Sequence, residues 1–139
     1  MLLTFKNILD NETLWVELMR DIQEHFRYQT ITSNDLIQFI NQRTKKDWTY
    51  FSNQYLLHVD LPLLQIKLQP NLTGLNIKFR WQASVTDFKM PVKVTTASEK
   101  FEFIYPNKEW QEMTIKDLTP AEFKVDDEHF YIITRIENE

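Results

Sequence analysis

The sequence predicts an α+β fold, with an N-terminal α-helical segment over residues 1–60 and a small antiparallel β-sandwich over residues 61–139. Two observations carry this prediction. Apolar residues recur with a period of 3.6 up to Pro62 and with a period of 2 beyond it. The chain has 139 residues, 42% of them apolar and 26% charged, which is typical of a folded globular domain. A disordered tail and a membrane protein are both poor descriptions.

The first two predicted helices have broad apolar faces. The opening helix has no capping residue before it, and its apolar positions follow helical spacing: Leu2, Leu3, Phe5, Ile8 and Leu9. Asp10 or Asn11 can cap a second and longer helix. Its apolar positions recur at steps of three and four residues: Leu14, Trp15, Leu18, Met19, Ile22 and Phe26.

Two shorter helices are predicted next. Thr32 with Asp35 resembles a capping box, and the apolar spacing continues to about Arg43. Asp47 can cap a fourth helix, which must end before Pro62 because a proline restricts the residue that precedes it. We expect a seam between this helix and the sandwich, formed by Trp48, Phe51, Tyr55 and Leu64.

About seven short strands are predicted after Pro62. Residues 64–69 and 75–82 alternate between apolar and polar and form a hairpin around a turn at residues 70–74. Five further strands cover residues 90–96, 100–105, 110–115, 122–125 and 130–136. Strands of this length and spacing favour a small antiparallel sandwich.

Composition excludes several function classes. The net charge of −4 argues against nucleic acid, because phosphate binding needs clustered positive charge. The sequence contains no cysteine, which excludes disulfides and thiolate chemistry. Gly74 is the single glycine, so a dinucleotide fingerprint, a phosphate-binding loop and a nucleophile elbow are excluded. No membrane segment or signal peptide is expected, and the compartment stays open.

The residues alone supply no catalytic, cofactor-binding or metal-binding site. His25, His58 and His129 fall on three different elements, and none has a His or Cys partner at the spacing of a zinc motif. A structural role is favoured for each, although His58 could approach a substrate from its loop. The isolated chain is therefore expected to bind no catalytic zinc.

Three further patterns have simple structural interpretations. The acidic run at residues 126–128 lacks the alternating ligands of a calcium loop and is expected at a solvated hairpin tip. Residues 78–81 mix basic and aromatic side chains, but their alternation places the aromatics in the core. The glycosylation sequon at residues 71–73 indicates only an exposed turn.

The helix-to-strand junction resembles the segment that closes the catalytic domain of aminopeptidase N-type zinc metallopeptidases, the gluzincin family. The matching residues are Asp47, Trp48, Phe51, Gln54, Tyr55, Leu56 and Pro62. Residues 2–9 and 26–36 are similar to neighbouring helices of that family, and residues 79–81 and 88–92 to the first strands of its following β-sandwich. The resemblance covers most of the chain in the same order.

The resemblance implies a C-terminal fragment of such an enzyme, in which residues 1–60 end a thermolysin-like catalytic domain. The family places its chemistry on a His-Glu-x-x-His helix and a Tyr-x-Lys-Gly-Ala type motif, and no His-Glu pair occurs here. Zinc is thus expected in the full-length parent, and this chain alone is expected to be inactive and structural. The alternative is an independent, non-catalytic helix-plus-β-sandwich module for protein interaction.

The resemblance also implies partners. In a parent enzyme the remainder of the catalytic domain would cover the apolar faces of the first two helices. A chain without that cover would leave apolar surface in water, which costs about 25 cal/mol per Å². We therefore expect self-association through the N-terminal helices, with the sandwich facing outward.

Overall fold

The computed structural model describes residues 1–139 as four helices followed by strands, which confirms the α+β class. The helices are α1 (Leu2–Leu9), α2 (Glu12–His25), α3 (Ser33–Thr44) and α4 (Thr49–Leu57). None of them is long and apolar enough to cross a membrane. The change from helix to strand lies between Leu57 and Leu63.

Local capping explains where α1, α2 and α3 begin and end. No side chain caps α1, and Asp10 ends it in the left-handed conformation. The Asn11 side chain accepts a hydrogen bond from the Leu14 amide and starts α2. Thr32 and Asp35 form the complete capping box predicted for α3, with each side chain accepting from the other residue's backbone N–H. These boundaries are therefore set by short-range hydrogen bonds.

The start of α4 differs from the prediction by one position. Trp48, rather than Asp47, is the residue that precedes the helix. Asp47 still contributes, because its Oδ1 accepts a hydrogen bond from the Thr49 amide at 2.9 Å. Hydrogen bonds from the Thr49 side chain and backbone lower the pKa of Asp47. The carboxylate thus satisfies the first helical amide from outside the helix.

Six strands form two sheets. They are β1 (Leu63–Asn71), β2 (Gly74–Gln82), β3 (Val92–Ala97), β4 (Lys100–Ile104), β5 (Gln111–Lys116) and β6 (Ile133–Asn138). The larger sheet has the order β5-β2-β1-β6, and β3 pairs with β4 in a separate two-stranded sheet. Inward residues of both sheets contribute to one core.

The β1–β2 hairpin turns at Leu72 and Thr73, within the predicted residues 70–74, and β1 extends two residues beyond its predicted end. Its register runs from Leu63 opposite Gln82 to Asn71 opposite Gly74. A Cβ atom at Gly74 would lie 2.1 Å from the Ile115 carbonyl oxygen of β5. The single glycine is therefore required where β5 passes close to the turn.

The last predicted strands are wrong in two respects. Residues 122–125 form no strand, and only an isolated bridge joins Val125 to Val94. The final strand begins at Ile133 instead of residue 130 and runs parallel to β1, so the larger sheet is mixed rather than antiparallel. Phe130, which is buried, fills the core instead of pairing in a sheet. Consequently the acidic run at residues 126–128 lies in a connection and not at a hairpin tip.

Helices and sheets share one continuous core, and the seam between them matches the expectation only in part. Trp48 and Phe51 are buried, and their rings lie 5.2 and 5.5 Å from the ring of Phe5, within the helical layer. Contact with residues 61–139 comes from Tyr55, as expected, whose hydroxyl donates to the Tyr131 carbonyl at 2.7 Å. It comes also from Tyr50, whose ring lies 5.8 Å from that of Phe88 in the connection between β2 and β3. Residues 1–60 and 61–139 are thereby joined by an aromatic contact.

Candidate functional site

An apolar groove lies between α1, α3 and α4 and has a cavity volume of about 180 Å³. Nine of its eleven lining residues are hydrophobic. The lining residues are Met1, Leu2, Phe5, Ser33, Leu36, Ile37, Ile40, Trp48, Phe51, Ser52 and Leu56. A groove of this composition suits an apolar partner rather than a polar substrate.

The floor of the groove consists of packed aromatic rings. Phe5 contacts Trp48 edge-to-face, with ring planes at 85°, and contacts Phe51 at a tilt. The indole N–H of Trp48 donates to the Thr44 hydroxyl at 2.9 Å. Because the one polar atom of this floor is already bonded, the groove presents only apolar surface there.

The rim of the groove exposes large apolar side chains. Leu2 of α1 is 59% exposed, and Leu56 of α4 is 47% exposed. Leu3 and Leu57 are exposed beside them. In contrast, the chain's own core buries Phe5 and Ile8 of α1 and Leu18 of α2. Only part of the apolar face predicted for α1 and α2 therefore stays uncovered.

The third wall, α3, is less buried than the other elements that line the groove. None of its residues is fully buried. Arg43 in its last turn forms an ion pair with Asp21 of α2 at 2.6 Å, and Phe39 stacks on the His25 ring at 4.6 Å. These contacts and the hydrogen bond that Asn41 accepts from the Trp48 amide attach α3 to α2 and to the start of α4.

The three histidines lie apart. His25 packs between Phe26 and Phe39, and His58 follows the end of α4, where it is exposed. The Nδ1 atom of His129 lies 2.8 Å from the nearer carboxylate oxygen of Asp126. No three His, Asp or Glu side chains gather at a point where they could hold a metal ion. The donor set of this chain does not fit a zinc site.

A polar junction that was not predicted from the sequence joins α4 to the connections that flank the strands. Gln54 is 1% exposed, and its amide nitrogen donates to the Asp60 carbonyl while its amide oxygen accepts from the Val85 amide. The Tyr55 hydroxyl donates to the Tyr131 carbonyl at 2.7 Å. The available signal was the position of Gln54, four residues after Tyr50 and three after Phe51, which places it on the aromatic side of α4 and predicts a buried polar contact.

Burial changes the ionisation of two tyrosines at this junction. Desolvation is the main cause that raises the pKa of Tyr50 and of Tyr55 well above the usual value. The carboxylates of Asp47 and Asp87 raise that of Tyr50 further. Both phenols are therefore neutral: Tyr50 packs against Phe88, and Tyr55 donates its hydrogen bond to the Tyr131 carbonyl.

Comparison with known proteins gives similarity at the level of fold. No family model matches the sequence, and no curated protein sequence does. The fold is similar to that in the crystal structure of Legionella pneumophila aminopeptidase A in complex with aspartic acid, with a TM-score of 0.77 and 12% identity. The similarity covers 99% of this chain and 17% of that chain. This chain therefore has the fold of one stretch of an aminopeptidase.

Proposed function

We propose that these residues form a C-terminal part of a zinc metallopeptidase of the aminopeptidase N type, which removes N-terminal residues from peptides. One observation carries the proposal: nearly the whole chain superimposes on a stretch that makes up only 17% of an aminopeptidase. The resemblance of residues 47–62 to the close of that family's catalytic domain supports it. Here residues 1–60 would complete the catalytic domain, and residues 61–139 would brace it.

The groove supplies the physical role of this part. Its aromatic floor and its exposed rim at Leu2 and Leu56 suit a neighbouring apolar helix surface. In the parent enzyme, that surface would belong to the helices that carry the zinc ligands. Filling the groove would bury the rim and hold α3 and α4 as a wall of the catalytic domain.

Chemistry would be supplied by the rest of the parent. The separate positions of His25, His58 and His129 cannot surround a zinc ion. Zinc, its ligands and the general base would therefore come from residues outside this chain. The 139 residues on their own are proposed to be structural and inactive.

A second candidate is an independent, non-catalytic interaction module. One observation favours it: helical residues such as Phe5 and Leu18 belong to the same buried cluster as the sheet residues. A chain with a continuous core of this kind can fold without a larger enzyme around it. In that case the groove would receive an apolar segment of another protein.

The coding sequence upstream of Met1 tests the proposal most directly. An in-frame His-Glu-x-x-His motif followed by a Tyr-x-Lys-Gly-Ala type motif is the expected result. The full-length product should then hydrolyse aminoacyl reporter substrates in a chelator-sensitive manner, and the 139 residues alone should not. A promoter and translation start at Met1, or hydrolysis by the 139 residues alone, would overturn the fragment proposal.

Two substitutions in the full-length protein test the groove. Leu36→Asp places a charge among the apolar lining, so it should lower peptidase activity and stability because an unpaired charge is costly to bury. Leu72→Asp at the exposed hairpin turn is the matched control and should leave both unchanged. Equal activity of the two variants would mean that the groove is not covered by the rest of the enzyme.

A further inference from the structure

Strand β6 forms one edge of the larger sheet, and its only neighbour there is β1. The amide of Ile133 donates to the Pro62 carbonyl at 3.0 Å, and the amide of Glu139 donates to the Leu68 carbonyl at 2.8 Å. The backbone N–H and C=O groups of successive residues point to opposite sides of a strand. Those of the odd-numbered residues in β6 therefore point toward β1. The even-numbered residues therefore present their backbone groups to the open edge.

The open edge has no partner within the chain. The residues whose backbone groups point to this edge are Thr134, Ile136 and Asn138. Their amides take part in no backbone hydrogen bond outside the sheet. Unpaired edges of this kind are templates for adding another strand. The backbone N–H and C=O groups that would bond such a strand already point away from β1, toward the open edge.

Apolar surface accompanies the free backbone groups. Ile136 lies opposite the buried Ile66, which places it on the core side of the sheet, yet it is 42% exposed. Ile133 is 50% exposed on the other face. The hydroxyl of Thr134 is buried without a hydrogen-bond partner. The apolar core is therefore partly exposed to solvent along β6.

We propose that β6 pairs antiparallel with β6 of a second copy of this chain about a twofold axis at Ile136. In this register, Ile136 faces its own copy and Thr134 faces Asn138, and both are hydrogen-bonded pairs because these residues point to the open edge. Arg135 of each copy faces Glu137 of the other. The strand is therefore self-complementary in charge.

Neighbouring registers lack this complementarity. A twofold axis at Arg135 sets two guanidinium groups opposite each other, and an axis at Glu137 sets two carboxylates opposite each other, which is unfavourable in both cases. An axis at Thr134 places Arg135 opposite Ile133 and leaves Glu137 without a partner inside the paired segment. Charge thus selects Ile136 as the centre.

The resulting assembly would be a continuous eight-stranded sheet. A twofold axis perpendicular to the sheet keeps both cores on the same side, so the two Ile136 side chains meet and extend the core across the junction. The groove between α1, α3 and α4 takes no part in this contact. The proposal is therefore independent of the aminopeptidase proposal, and it differs from association through the N-terminal helices.

Charge reversal provides the test, with the 139-residue chain as the sample. Arg135→Glu and Glu137→Arg each create two like-charge pairs in a homodimer, so sedimentation should show a dissociation constant raised by about tenfold or more for either variant. Mixing the two variants recreates both opposite-charge pairs, and the dimer should return with near-original affinity. Arg20→Glu on α2 makes the same charge change as Arg135→Glu at an exposed site away from β6, and should have no effect. Thermal unfolding of each variant distinguishes loss of the dimer from loss of the fold.

Amide hydrogen exchange of the unsubstituted chain provides an independent readout. As concentration rises, the amides of Thr134, Ile136 and Asn138 should become protected, while those of Arg135 and Glu137, which face β1, should not change. Concentration-dependent protection within residues 1–57 instead would place the second copy on the helices and overturn the proposal. A chain that remains monomeric at micromolar concentration would also overturn it and leave the edge to a segment of another protein.

Discussion

Truncating Phe51 tests whether the aromatic floor of the groove holds the helices together. The side chain is 3% exposed, and its ring lies 5.5 Å from that of Phe5 and 4.8 Å from that of Tyr55. Replacing a buried Phe by Ala costs about 3–5 kcal/mol of unfolding free energy, because transfer energy is lost and a cavity is left. Since Phe51 also lines the groove, part of the vacated space opens to solvent and leaves a smaller closed cavity. We therefore expect about 3 kcal/mol for Phe51→Ala, the lower end of that range.

Urea denaturation monitored by circular dichroism gives the required free energies from midpoints and slopes. Leu72→Ala is the matched control, because Leu72 is fully exposed at the hairpin turn and should change stability by no more than about 0.5 kcal/mol. Trp48→Ala should resemble Phe51→Ala, because Trp48 is buried in the same cluster. A loss below about 1 kcal/mol for Phe51→Ala, at unchanged slope, would refute burial of this ring in the core.

Three further predictions concern polar groups. Gln54→Leu should cost about 1–3 kcal/mol in urea denaturation, because two hydrogen bonds to backbone groups are lost at a buried position. Hydrogen bonds from the backbone and side chain of Thr32 lower the pKa of Asp35, so the stability that Asp35 adds to α3 is present above its ordinary pKa of 3.8 and is lost as pH falls through the lower folded value. Hydrogen exchange of α3 amides should show this acid-induced opening, and Asp35→Asn should abolish the pH dependence. Burial raises the pKa of Tyr50 and Tyr55, so their contribution to folding stability is full below the ordinary pKa of 10.0 and is lost as pH rises beyond it. Tyr55→Phe should reduce this loss of stability at alkaline pH. An unchanged midpoint of alkaline unfolding in Tyr55→Phe would contradict the assignment.

Short-range information in the sequence was sufficient for the helices and for the first hairpin. The capping box of Thr32 and Asp35 and the cap at Asn11 involve residues three positions apart, so their chemistry is visible in the sequence. The alternation along β1 and β2 assigns each residue to a face of the sheet without reference to any distant segment. The turn at Gly74 follows from the same local reasoning, although its close approach to Ile115 does not.

The sequence alone thus determined the α+β class, the order of the elements and most of the residues that enter the core. Only the tertiary structure decided that β6 runs parallel to β1, that Phe130 fills the core, and that Gln54 joins α4 to the connection between β2 and β3. Periodicity reports which face of an element is apolar, whereas strand partners and polar junctions depend on residues far apart in the chain. The groove and the open edge of β6 could not be predicted for the same reason. A surface is identified as uncovered only when the packing of all the other elements is known.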